Sequence, residues 1–82
     1  MCYHVYLIIS KVKNKTISYV GYTSNLKKRL LLHNKGKGAK FTRGRKWVII
    51  YKKKYNIKSL AMKEEHKLKK NYYLRNKLKK RA

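Results

Sequence analysis

Eighty-two residues leave room for one small domain and exclude a second. Twenty-five lysines and arginines stand against two acidic residues, a net charge of +23, which points to a polyanionic partner. A hydrophobic share of 43%, with eight tyrosines and a tryptophan, excludes a disordered polycation.

In chain order, "YHVYLIIS" at 3–10 is β-branched and aromatic and predicts a strand. The polar run after it predicts a hairpin turn around Asn14 and Lys15, and "ISYVGY" at 17–22 the returning strand, ended by Gly21. Thr23 or Ser24 is then placed to cap a helix whose apolar side carries Leu26, Leu30 and Leu31. That helix should end between His33 and Gly36, where glycine terminates helices. A basic loop at 36–46 precedes a third strand, "WVIIYKK", at 47–53. From Lys58 to about residue 79 the composition is helical, and Leu60, Ala61, Leu68, Tyr72 and Leu78 form one apolar stripe. The expected architecture is a single α+β domain over 1–82, a small three-stranded antiparallel sheet flanked by helices in the order β-β-α-β-α.

The partner expected for such a surface is nucleic acid, bound largely through counterion release and therefore weakened by salt. No apolar run is long enough to span a bilayer, and no signal-peptide core is present, so an intracellular protein away from the membrane is expected. Cys2 is the only cysteine, which excludes an internal disulfide and a cysteine-cluster zinc site.

Reactive groups are few. The two acids, Glu64 and Glu65, are adjacent, so a metal site could use one carboxylate, with water and substrate phosphate completing the shell. On a helical wheel Glu64 falls at the centre of the apolar stripe and Glu65 at its edge, where a ligand would face a cleft. Arg29 and His33 are four apart and share a helix face. Arginine holds phosphate bidentately and stabilises transition-state charge; histidine moves protons or bonds a phosphate or a tyrosine. A cationic neighbourhood should lower a tyrosine pKa from its ordinary ~10 and make the phenol a better proton acceptor.

Five pieces of the sequence, in order, carry a resemblance. "HVY" at 4–6 and "YVG" at 19–21 are followed by Arg29, ten residues after Tyr19, and by His33, four later. "HNKGKGAKFTRGRKW" at 33–47 and "SLAMKEEHKLKK" at 59–70 complete the series. Together they resemble the GIY-YIG nuclease superfamily, in particular its small single-domain members and the N-terminal catalytic domain of UvrC.

The resemblance implies an endonuclease that hydrolyses DNA phosphodiester bonds by a one-metal mechanism, in repair, recombination or the processing of mobile-element or viral DNA. It implies that Glu65 binds Mg²⁺ or Mn²⁺ and that Arg29 stabilises developing charge. Tyr6 and Tyr19 would flank the attacking water, one of them taking its proton directly or with help from His33. Lys40, Arg43 and Arg45 would position the DNA backbone, and a targeting protein is a further partner compatible with so small a chain. His4 stands where the first signature has glycine, and Lys46–Trp47 replaces an Arg–Pro-like pair. The alternative is a non-catalytic, basic nucleic-acid-binding module, either a degenerate nuclease or a ribosome-associated protein.

Overall fold

The run of consecutive apolar residues in the first strand is what a strand covered on both faces requires. The computed structural model describes residues 2–37 and 44–81, and in it β1 (Tyr3–Val12) is the central strand. β2 (Lys15–Thr23) and β3 (Val48–Tyr55) flank it, both antiparallel, in the order β2-β1-β3. The helices are α1 (Leu26–Asn34), α2 (Lys58–Lys70) and α3 (Tyr72–Arg81). The α+β class and the antiparallel three-stranded sheet are those expected; the order is β-β-α-β-α-α.

Alternation along β1 divides the interior into two small cores. Val5 and Leu7 face Val20, Ala61 and Leu68, with Leu74 and Leu78 packed against them, so α2 and α3 cover this side. Tyr6 and Ile8 face the other way, toward Trp47, Tyr19, Leu26 and Leu30, so α1 covers that side. Between Leu7 and Ile8 the pairing with β3 shifts by one residue, and Ile50 joins the first core while Ile49 joins the second.

Several local features differ from expectation. Val12 pairs with Lys15, so the hairpin loop is Lys13–Asn14, with Lys13 in the left-handed region at φ 55°. Asn25 caps α1, its side chain accepting from the Lys28 amide at 3.1 Å, while Thr23 Oγ1 accepts from the Asn25 amide. The cap thus lies beyond Thr23 and Ser24 because the strand runs on to Thr23. At the other end, Gly36 at φ 77° lets Lys37 N–H reach Leu32 C=O and its own N–H reach His33 C=O. Leu31 is exposed and is not part of the apolar side of α1.

The long C-terminal helix is two helices. Asn71 leaves helical geometry at ψ 75°, and its side chain accepts from the Leu74 amide at 3.0 Å, ending α2 and capping α3 in one residue. The break rotates the stripe. Leu74 and Leu78 turn inward, whereas Tyr72 and Leu60, both expected in the stripe, are exposed.

Gly21 lies inside β2 rather than at its end, directly opposite Tyr6. A methyl group there would overlap the Tyr6 hydroxyl and stand 2.7 Å from its ring carbon Cζ. The glycine is needed because the tyrosine ring lies over it. Gly21→Ala should therefore lower stability by about 1–3 kcal/mol, the usual cost of overpacking a core. Denaturant unfolding followed by Trp47 fluorescence measures this, and an unchanged midpoint would show that the ring is free to move.

Candidate active site

The second core does more than pack. Tyr6 from β1 and His33 from the last turn of α1 are both fully enclosed, at 1% and 0% exposure. The Tyr6 hydroxyl lies 2.8 Å from His33 Nε2. Tyr19 of β2 closes the other side of the imidazole, its ring centroid 5.1 Å away and tilted by 60°. The sheet register puts Tyr19 opposite Ile8 and Gly21 opposite Tyr6, so both tyrosines lie on the face that α1 covers. Tyr19 is half-buried, while Tyr6 is sealed.

Arg29 is one turn before His33 on α1, close enough for its charge to act on both the Tyr6 phenol and the His33 imidazole. Its Nε is buried and has no hydrogen-bond partner among the described residues. A buried donor left unpaired costs about 1–3 kcal/mol, and an anionic oxygen would satisfy it. Beside it, Thr23, Asn25, Lys28, Arg29 and Leu32 line a cavity of about 340 Å³ that opens at the start of α1.

Burial decides the protonation states here. It pushes the Tyr6 phenol above its ordinary value, and the hydrogen bond and charge of Arg29, which act downward, do not offset it. The lowering expected from cationic surroundings thus fails at Tyr6, because desolvation of a sealed phenolate outweighs one nearby cation. Burial, aided by Arg29, pushes His33 below its ordinary value and keeps the imidazole neutral. Both groups are thus neutral, and the imidazole tautomer sets which of Tyr6 O–H and His33 Nε2 donates in the 2.8 Å contact.

The two glutamates separate. Glu64 pairs with Lys67 at 3.3 Å and lines a cavity of about 210 Å³ with Val5, Tyr51 and Tyr55. Glu65 pairs with Lys69 at 3.6 Å and is close enough to Tyr6 for its charge to raise the phenol pKa. Its side chain is the more enclosed of the two, 16% exposed against 29% for Glu64, the reverse of the helical-wheel expectation. The break at Asn71 removes Tyr72 from the stripe on which that wheel was drawn.

Of the three cations expected to meet DNA, Arg45 is half-buried beyond the end of α1, and Lys40 and Arg43 lie outside the described residues. His4 leaves the strand regular, pairing with Thr23 and Lys54. Its Nδ1 is buried without a partner among the described residues.

Asn34 is a residue that composition and periodicity did not single out. Its side chain accepts from the Trp47 amide at 2.6 Å and donates to the Trp47 carbonyl at 3.3 Å. This pairing fastens the start of β3 to the end of α1 and holds buried Trp47 beneath the site. The signal in the sequence was its place in "HNKGKGAKFTRGRKW", the family-like stretch that runs from His33 to Trp47.

Comparison with known proteins identifies the family. Residues 2–79 fit the family model described as the GIY-YIG catalytic domain. A UPF0213 protein of Oceanobacillus iheyensis is 46% identical over 65 residues, 78% of this chain and 74% of the relative. UPF0213 proteins of Staphylococcus haemolyticus and Natronomonas pharaonis are 42% and 38% identical over the same share of this chain, covering 78% and 75% of their own lengths. No solved structure matches the chain. With the family model spanning nearly the whole chain, the protein belongs to the GIY-YIG catalytic domain family of nucleases.

Proposed function

We propose that the protein is a divalent-metal-dependent endonuclease acting on DNA phosphodiester bonds. The observation that carries this reading is the enclosed Tyr6–His33 hydrogen bond beside Arg29, whose buried Nε has no partner among the described residues. A domain that only docks nucleic acid gains nothing from burying a cation against a phenol and a neutral imidazole. A phosphoryl oxygen at Arg29 would satisfy the buried donor and receive charge stabilisation where negative charge develops.

The two tyrosines take different parts. Tyr6 is sealed, and its hydroxyl is committed to His33, so it orients Arg29 and the imidazole. Tyr19 is half-open to solvent against the same imidazole and is the phenol that an attacking water can approach. His33, held neutral, is able to receive a proton passed through this cluster.

Glu65 is the carboxylate available to a metal ion near this cluster. No group of three or more His, Cys, Asp or Glu side chains gathers among the described residues, which suits Mg²⁺ or Mn²⁺, since such ions retain several waters. The ion would supply charge neutralisation at the phosphate and a more acidic bound water. Its arrival need displace only Lys69, an ion pair of small worth in a half-exposed setting. Lys40, Arg43 and Arg45 would hold the DNA backbone, adding affinity without base recognition.

Cleavage of plasmid and branched DNA with Mg²⁺ or Mn²⁺ tests the reading directly. Glu65→Ala should abolish it; equal cutting by both proteins, or by neither, overturns the enzyme assignment. Arg29→Ala should slow cleavage by about 10²-fold or more while DNA affinity changes little, because the rest of the +23 charge remains. Equal losses of cutting and binding would make Arg29 a docking residue. Tyr19→Phe should reduce the cleavage rate by about 10²-fold at near-normal stability. Tyr6→Phe should instead lower the melting temperature, leaving His33 Nε2 buried and unpaired at a cost of about 1–3 kcal/mol. The opposite pattern in these two variants would exchange their roles.

A further inference from the structure

The proposed site uses two of the eight tyrosines. Two others are left in an unusual position: Tyr72 and Tyr73, adjacent in the first turn of α3, are 67% and 79% exposed. Tyrosine rings usually bury most of their area, so a neighbouring pair in water asks for a partner. They are not at a frayed end. Asn71 caps the turn that carries them, and Leu74 and Leu78 anchor α3 to the first core.

The surroundings of the pair are cationic. Tyr72, Tyr73, Asn76, Lys77 and Lys80 line a cleft of about 340 Å³ along the outer side of α3. These residues recur at helical spacing, so rings and ammonium groups share one face. The Arg75 guanidinium lies 5.8 Å from the Tyr72 ring centroid and donates to Ser18 Oγ at 3.4 Å, holding one side of the ring against the body of the protein. α3 contains no acidic residue, and its last turn carries Lys79, Lys80 and Arg81.

Exposed rings beside a row of cations are the two halves of a single-strand binding surface. The cations follow the phosphates, and the rings stack with bases whose faces are free. A duplex keeps its base faces inside the helix and could use only the cations. A second copy of this chain is a poor occupant, because it would bring another +23 against the same surface.

We propose that the outer face of α3 binds unpaired nucleotides of the DNA, with Tyr72 and Tyr73 as stacking platforms and Lys77 and Lys80 on the backbone. The proposal rests on the nuclease reading only for DNA as the substrate; it names the feature that substrate carries, an unpaired segment near the cut. α3 lies on the side of the sheet opposite α1, and the long dimension of the molecule is 38 Å. A strand of about a dozen nucleotides is long enough to extend from this face to the candidate site.

The test is fluorescence anisotropy at one fixed salt concentration, in chelator, so that cleavage plays no part. The probes are a labelled deoxythymidine oligonucleotide, a duplex of equal length and a strand of abasic sites with the same phosphates. Tyr72→Ala/Tyr73→Ala should weaken oligonucleotide binding about tenfold or more, with much smaller changes for the duplex and the abasic strand. Tyr72→Phe/Tyr73→Phe should bind like wild type, because the rings remain. Circular dichroism should show equal folding, since both side chains are exposed.

An unchanged oligonucleotide affinity, or equal losses on all three probes, overturns the proposal. So does a wild-type dimer, detected by light scattering, that the alanine variant loses, since the rings would then serve a second copy. This readout is binding in chelator, whereas the catalytic reading is read by cleavage with metal, so the stacking surface and the catalytic reading stand or fall separately.

Discussion

The candidate site depends on one buried hydrogen bond, from Tyr6 on the central strand to His33 at the end of α1, 2.8 Å long. Its two partners are 27 residues apart in sequence and have almost no exposure to water. Everything nearby serves to make that contact possible. Gly21 leaves the space over which the tyrosine ring lies, Trp47 and Ile8 pack against that ring, and Tyr19 closes the imidazole from the neighbouring strand. Enclosure also sets protonation, raising the phenol and lowering the imidazole so that both are neutral.

Against that neutral pair stands a chain with a large excess of cations. Most of them are exposed, where each adds general attraction to a polyanion and little else. Arg29 shares with Arg75 a buried Nε that has no partner among the described residues, but it alone of the two lies beside the Tyr6 phenol and the His33 imidazole. Glu65, the carboxylate whose charge reaches Tyr6, comes from α2, whose apolar side packs on the opposite core. Under the proposed function, reaction chemistry and bulk affinity fall to different residues: a few enclosed groups for the first, the lysine-rich surface for the second. The stacking surface proposed for the exposed tyrosines of α3 would add a third kind of contact, directed at bases rather than phosphates.

Much of the architecture was legible in the sequence because apolar patterns report burial. "YHVYLIIS" is covered on both faces, as its unbroken apolar run required, and the three strands fall where β-branched residues cluster. Features set by one polar side chain were less legible. Asn25 rather than Thr23 or Ser24 caps α1, and Asn71 divides a segment whose composition is helical throughout. Any of these side chains can cap a helix; the choice follows from where the preceding element ends. Asn34 shows the same limit more strongly, because its partner is the backbone of Trp47, thirteen residues away across a loop.

By itself the sequence determined the fold class, the sign of the partner's charge, and the scarcity of acids that restricts any metal site to one carboxylate. Those follow from composition and short-range periodicity, which survive without knowing how elements meet. It also aligned Tyr6, Tyr19, Arg29, His33 and Glu65 with a family pattern. Only the tertiary structure decided which tyrosine is sealed, which glutamate approaches it, and that burial outweighs the cationic surroundings at Tyr6. The physical reason is that desolvation depends on what covers a group from every side, and here the covering residues come from several separate elements of the chain.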